Sequence, residues 1–350
     1  MILVDALYIN NGGGKTLLQY FIEEIERCED PCSYIFIIDD RLDKDWLASL
    51  NLRKAYIIKS GEISRTKVYK TIFKDYSIKT IFCLNNLPPP IHIKFAQVFI
   101  YFHNILLLNP LGSNYKFHQK IKFLLKLFYI KQKNRVRYKW IVQTKLVKDQ
   151  LLNKIRIHES HVSIIPFYKV PLNLEEGLIR IPRFLYVADG STQKNHALLF
   201  DTFERLATDF NQFPELVVTI DKTIYPEVNR KIEDLNRKGI LIHNLGTLTT
   251  EDLHAVYKSS EYCIYPSLHE SFGLPLIEAV QFGCKVVAID MPYVHEVIEP
   301  SALFPYAHNG KQEVLVDLLL DIICNKKVLK PSLIIVNSSI QELIDLIKRN

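Results

Sequence analysis

Short apolar runs alternate with stretches whose apolar residues recur every three or four positions along the whole chain. The runs at 2–8, 34–38, 55–58, 80–84, 97–101, 140–143 and 162–166 predict one series of strands. Those at 183–187, 215–220, 241–244, 262–265 and 285–289 predict a second. Helical periodicity lies between them, at 16–27, 195–209, 227–238, 250–258 and 274–282. Short apolar strands interleaved with helices are the pattern of parallel sheets covered on both faces. Two such series in 350 residues predict an α/β protein with two doubly wound, Rossmann-like domains. Pro166, Pro171 and Pro182 punctuate a strandless stretch between the series. The predicted order is a domain over 1–168, a linker over 169–182, a domain over 183–328 and a closing segment over 329–350. The helix at 339–348 has no strand after it, which leaves it to pack back on the first domain.

Composition narrows the class. Hydrophobic residues at 48% and charged residues at 23% describe a globular chain rather than a disordered one. The start of the chain reads as a first strand, since Asp5 interrupts it and no basic leader precedes it. The apolar run near 98–108 is broken by His103 and Asn104 and is too short to span a bilayer. A cytoplasmic protein is expected, held to a membrane only by its surface. Of the six cysteines only Cys28 and Cys32 are closely spaced, with no second His or Cys pair, so reduced thiols and no metal are expected.

Charge is unevenly spread. The net charge is +6, yet no acidic residue lies between Asp75 and Asp149, a stretch that holds thirteen Lys and Arg. The remainder carries 31 basic and 38 acidic residues. Within 115–132, Phe117, Ile121, Leu124, Leu125 and Phe128 fall on one helical stripe, with Lys120, Lys122, Lys126, Lys131 and Lys133 around it. Such a helix suits an anionic membrane interface, making 115–139 a candidate peripheral contact with the inner face of the cell membrane. The alternative is a core-packed helix with a solvated basic face. No nucleic-acid-binding module is present, and no nucleic-acid partner is expected.

The most specific stretch is YPSLHESFGLPLIEA at 265–279. A strand runs into a loop and then a helix whose first turn is marked by Pro275. Glu270 precedes the helix and Glu278 lies inside it, with a bare helix N-terminus between them. Two acceptor carboxylates and an anion-binding helix end match the order of a nucleotide-sugar: sugar, diphosphate, ribose. The plain alternative has Glu270 as a helix cap and Glu278 as a solvated helix residue.

This segment closely resembles the E-x7-E motif of family 4 glycosyltransferases of the bacterial surface-polysaccharide type. The resemblance extends, more weakly, over 1–15, the strand and helix from Trp140, and 184 to about 305. It implies a GT-B fold, with two Rossmann-like domains facing across a cleft, and retention of anomeric configuration. It implies that Glu270 holds donor-sugar hydroxyls and that Glu278 holds the ribose. Ser271, Phe272, Gly273, Leu274 and Gly246 are implied donor-binding positions. It also implies transfer from a nucleoside-diphosphate sugar to a glycan or lipid-linked acceptor in cell-surface polysaccharide synthesis, with no cofactor and no metal.

Three further segments bear on this reading. In FLYVADGSTQKNH at 184–196, Lys194 ends a strand-to-helix turn, where ligands of open α/β sheets bind and a lysine neutralises phosphate. Lys194 matches the family's lysine. The arginine expected about five residues earlier is absent, and Asp189 stands near its place. That absence motivates the alternative of a non-catalytic nucleotide-sugar-binding or scaffold protein. In NNGGGKT at 10–16, Gly12, Gly13 and Gly14 permit close backbone approach. A P-loop would need a glycine at Ile9, and the dinucleotide pattern fails at Leu17. The resemblance makes this the acceptor-side loop. His103 closes an apolar strand and matches a family histidine near the donor sugar, although a lone histidine also serves as a core residue. Glu296 resembles a family position too, with a structural role favoured. Asp43 and Asp45 spell a metal motif of the other glycosyltransferase fold without its context.

Overall fold

The computed structural model describes residues 1–28, 33–49, 52, 54–110, 117–170, 179–306 and 313–349. The chain divides into two compact units, Met1–Lys169 with Asn337–Asn350, and Val170–Val336. Residues 171–178 of the sequence-predicted linker, together with Cys32, Tyr115 and Lys116, lie outside the described residues.

The first unit holds a seven-stranded parallel sheet. Its strands are β1 (Ile2–Asp5), β2 (Tyr34–Asp39), β3 (Ala55–Ile58), β4 (Thr80–Cys83), β5 (Gln97–Phe102), β6 (Lys139–Val142) and β7 (Val162–Ile164), in the order β3-β2-β1-β4-β5-β6-β7. Its helices are α1 (Gly12–Cys28), α2 (Lys44–Ser49), α3 (Glu62–Asp75), α4 (Phe117–Lys133) and α5 (Lys145–Lys154). β1 and β4 are buried at every position, as strands covered on both faces must be. The strand order reverses between β1 and β4, so the turns leaving these two strands diverge and open a crevice.

The second unit holds a six-stranded parallel sheet in the order β10-β9-β8-β11-β12-β14. Its strands are β8 (Ile181–Tyr186), β9 (Leu216–Val218), β10 (Ile242–Asn244), β11 (Ser260–Tyr265), β12 (Lys285–Asp290) and β14 (Ala302–Pro305). β13 (Ile298–Glu299) and β15 (Leu333–Ile334) form a small antiparallel ribbon. The helices are α6 (His196–Phe210), α7 (Pro226–Arg237), α8 (Thr250–Ser259), α9 (Leu274–Gln281), α10 (Pro292–Val297) and α11 (Glu313–Ile323). Here the order reverses between β8 and β11.

The last helix, α12 (Ile340–Lys348), buries Ile340, Leu343, Ile344 and Ile347. It is tied to the first unit, where Ser339 N–H donates to the Pro166 carbonyl at 2.8 Å and Tyr168 N–H donates to Ser338 Oγ at 3.0 Å.

Several boundaries differ from the sequence reading. α1 begins at Gly12, so Gly12, Gly13 and Gly14 are the first turn of a helix rather than a free loop; Lys15 N–H already donates to the Asn11 carbonyl. β8 begins at Ile181, inside the predicted linker, because its pairing with Ser260 of β11 extends the strand beyond its apolar run. The stripe of α4 does not face the core. Phe117, Leu125 and Phe128 are 79%, 64% and 61% exposed, while Leu127 and Ile130 are buried and Phe123 and Tyr129 pack against the core beside them. Asp43 accepts from Trp46 N–H at 2.9 Å and caps α2.

Candidate functional site

In the second unit, the two strands flanking the reversal end in tyrosines, Tyr186 and Tyr265, and the loops that follow are stitched together. Leu268 N–H donates to the Gln193 carbonyl at 2.8 Å, and Asn195 Nδ2 donates to the Pro266 carbonyl at 3.4 Å. The Tyr186 hydroxyl donates to the Lys194 carbonyl at 2.7 Å, and the Tyr293 hydroxyl donates to the Ser267 carbonyl at 2.6 Å. This frame brings Lys194 and Glu270, 76 residues apart in sequence, into an ion pair with Nζ 2.5 Å from Oε1. Ser267 Oγ at 2.6 Å and the Tyr265 hydroxyl at 3.0 Å donate to the same oxygen. No described partner reaches Glu270 Oε2.

Gly273 is the N-cap of α9 with φ 81°, a left-handed conformation that favours glycine. An added Cβ would also press within 3.1 Å of Leu276 Cδ1. No side chain caps this helix end. Pro275 stands in the first turn, where its missing N–H costs nothing. Phe272 is buried, and Ser271 and Leu274 are part-exposed on either side of the cap. Glu278, within α9, accepts from the Tyr257 hydroxyl at 3.1 Å. Burial raises the Glu278 carboxyl above the ordinary range, and the Tyr257 bond partly offsets that. Helix end, Lys194 and both glutamates therefore belong to one local structure.

Gly246 is placed differently. It follows the edge strand β10, has φ 69°, and donates its N–H to Asn244 Oδ1 at 3.1 Å. No described hydrogen bond or ion pair joins it to the glutamate group. Asp189, near the place of the expected arginine, accepts from Ser191 N–H at 2.9 Å and from Ser191 Oγ, and so shapes the turn before Lys194. Glu296 lies on α10, whose Tyr293 supports Ser267.

In the first unit, the glycine turn and His103 meet. A Cβ on Gly14 would stand 3.4 Å from His103 Cε1, ordinary contact distance. Asn86 holds the histidine: its Oδ1 accepts from His103 N–H at 2.6 Å, and its Nδ2 lies 3.2 Å from His103 Nε2. Nε2 also sits 2.9 Å from the Leu84 carbonyl. Burial lowers the His103 pKa to about 4, which keeps the ring neutral at neutral pH.

The residues that sequence reasoning missed are Tyr186, Tyr257, Ser267 and Tyr293, and it assigned no role to Tyr265. The available signal was a tyrosine closing each of the two strands that flank the reversal. Among the described residues, no group of three or more His, Cys, Asp or Glu is placed to hold a metal ion. Among the same residues no helix is long and apolar enough to cross a membrane.

Residues 180–330 match the family model described as glycosyl transferases group 1. The O-antigen chain mannosyltransferase RfbU of Salmonella typhimurium is 24% identical over 191 residues, 54% of this chain and 51% of that protein. The O-antigen chain mannosyltransferase B of Escherichia coli is 26% identical over 119 residues, 34% of this chain and 31% of that protein. The chain thus spans about half, or less, of the length of these curated relatives. Among solved structures, WaaG, a glycosyltransferase involved in lipopolysaccharide biosynthesis, superimposes over 100% of both chains with a TM-score of 0.68 at 12% identity. HepE of Anabaena, in complex with UDP and glucose, covers 93% of this chain and 90% of its own with a TM-score of 0.65 at 13% identity. The chain has the GT-B fold, and its residues 180–330 match the model of the glycosyl transferases group 1 family.

Proposed function

We propose that this protein transfers a sugar from a nucleoside-diphosphate sugar to a glycan or lipid-linked acceptor, with retention of configuration, in the synthesis of a cell-surface polysaccharide. The observation that carries the reading is the ion pair of Lys194 with Glu270 beside the uncapped start of α9. Helix amides and a lysine stabilise the charge that grows on a departing diphosphate. Glu270 accepts hydroxyls of the donor sugar, and Glu278 accepts those of the ribose. Ser271, Phe272, Gly273 and Leu274 line the phosphate between them. With the leaving group stabilised this way, the departing phosphate oxygen takes the acceptor's proton, and neither a metal nor a side-chain base is assigned a step. Gly12, Gly13, Gly14 and His103 of the first unit serve the acceptor and the donor sugar. The O-antigen relatives support the surface-polysaccharide setting.

A panel of UDP-, GDP- and ADP-sugars tests the reading by thermal shift. A donor present at a hundred times its Kd stabilises the fold by about 2.7 kcal/mol. Release of the matching nucleoside diphosphate with acceptor then separates catalysis from mere binding. Failure of every donor to raise the melting temperature would sink the proposal.

The exposed stripe of α4 supports a membrane partner. Phe117, Leu125 and Phe128 stand in solvent beside lysines, on a stretch with no carboxylates to repel an anionic surface. Each lysine near anionic lipid adds about 1 kcal/mol. Replacing Leu125 and Phe128 together by serine is expected to weaken co-sedimentation with phosphatidylglycerol vesicles on the order of 10²-fold, from the apolar area lost. Unchanged co-sedimentation would rule out this face.

A further inference from the structure

Each motif glutamate accepts a hydrogen bond from a buried tyrosine, and Glu270 Oε1 accepts in addition from Ser267 Oγ and Lys194 Nζ. Tyr265 closes β11 and is fully buried, and its hydroxyl lies 3.0 Å from Glu270 Oε1. Tyr257 is on α8, also fully buried, with its ring stacked on Phe282 at 5.8 Å and 13°. Its hydroxyl lies 3.1 Å from Glu278 Oε2 and 3.4 Å from the Pro275 carbonyl. A phenol has one proton, and the nearer, carboxylate acceptor takes it. In each glutamate one oxygen is thus occupied, while no described group reaches the other.

We infer that Tyr265 and Tyr257 are positioning residues, each donating to one oxygen of a motif glutamate so that Glu270 Oε2 and Glu278 Oε1 alone face the ligand. This rests on the donor-binding reading above. The geometry makes each carboxylate a single fixed acceptor instead of a freely rotating pair. That suits hydroxyls whose positions are set by a rigid sugar ring, because the ordering cost is already met in the folded protein. Burial, followed by the neighbouring glutamate, raises both phenols well above their usual range, so both remain donors at any working pH.

The other ionisable groups bearing on the Tyr257–Glu278 pair are the thiols of Cys263 and Cys284, which burial raises, and Arg180, which reaches the Tyr257 carbonyl. Raised in this way, neither thiol ionises near neutral pH. The Tyr257 bond is the one contact that lowers the Glu278 pKa against burial. Removing it therefore raises that pKa further, and affinity for a hydroxyl donor disappears at a higher pH than in the wild type.

The experiment uses the full chain with Tyr257→Phe and Tyr265→Phe, and titrates by calorimetry the nucleoside diphosphate that binds the wild type. Tyr257→Phe is expected to weaken that nucleotide about tenfold and to move upward the pH below which binding is lost. Tyr265→Phe is expected to leave nucleotide affinity within about twofold, since Glu270 meets only the sugar, and to lower kcat by about threefold, a smaller effect because Ser267 and Lys194 still hold Glu270 Oε1. A purely structural tyrosine would lower the melting temperature of Tyr257→Phe without moving its pH midpoint, and that result overturns the inference. So does a wild-type kcat in Tyr265→Phe. If the wild type binds no nucleoside diphosphate at all, the donor-binding reading has failed before any variant is compared.

Discussion

Glu270→Gln is expected to lower sugar transfer by on the order of 10²- to 10³-fold while leaving nucleoside-diphosphate affinity nearly unchanged. The amide keeps the shape of the side chain and one carbonyl oxygen, which still accepts from Ser267 and Tyr265. It loses the charge that pairs with Lys194, and it places a donor where a sugar hydroxyl needs an acceptor. The fold should survive. Lys194 keeps 15% of its side chain in solvent and can rehydrate, and the tyrosine frame does not depend on the glutamate's charge. Glu278→Gln differs in kind, because it weakens the nucleotide itself. Steady-state kinetics beside calorimetry separates the two. Wild-type turnover by Glu270→Gln would remove the reading of that carboxylate as the sugar's acceptor.

Much of this architecture was legible in the chain. Buried parallel strands such as β1 and β4 announce themselves as mainly apolar runs without alternation, because both faces are covered. Pro275 marked the start of α9 through its missing N–H. Other features were hidden for physical reasons. β13 and β15, two residues each, are too short to carry a period, and β14 is an edge strand buried only at alternate positions and so lacks a continuous apolar run. The direction of the α4 stripe could not be read from periodicity, which records that a helix has an apolar face but not what covers it. Exposure of Phe117, Leu125 and Phe128 settles that point for the fold. The candidate site divides along the same line. Glu270, Glu278 and Lys194 were visible because few roles explain charged groups at a strand–helix turn. Tyr257, Tyr186 and Tyr293 were not, since a buried tyrosine looks like core until its hydroxyl is seen to have a polar partner.

The largest effect on stability is expected from Arg65→Met, at about 3–5 kcal/mol, against a typical total of about 5–15. Arg65 and Asp5 have no solvent exposure. Asp5 Oδ2 accepts from Arg65 Nε at 2.8 Å and the Tyr69 hydroxyl at 2.6 Å, while Oδ1 accepts from Asn85 Nδ2 at 2.8 Å and Leu7 N–H at 3.2 Å. The guanidinium also donates to the Leu87 carbonyl at 3.2 Å. Burial opposes its charge, but Asp5 beside it holds the arginine well above its usual range. Methionine fills similar volume yet leaves a buried carboxylate without its cation, which costs far more than the pair's own net contribution. The consequence reaches the glycine turn. Asp5 ends β1 and holds Leu7 at the start of that turn, and Asn85 precedes Asn86, which orients His103. Both tryptophans of the chain, Trp46 and Trp140, lie in the first unit, so their fluorescence follows its unfolding alone. The urea midpoint read this way should fall steeply in Arg65→Met, while nucleoside-diphosphate affinity in the second unit stays measurable. A loss below about 1 kcal/mol would mean that water reaches Asp5 once the arginine is gone, and that the ion pair does not hold the turn.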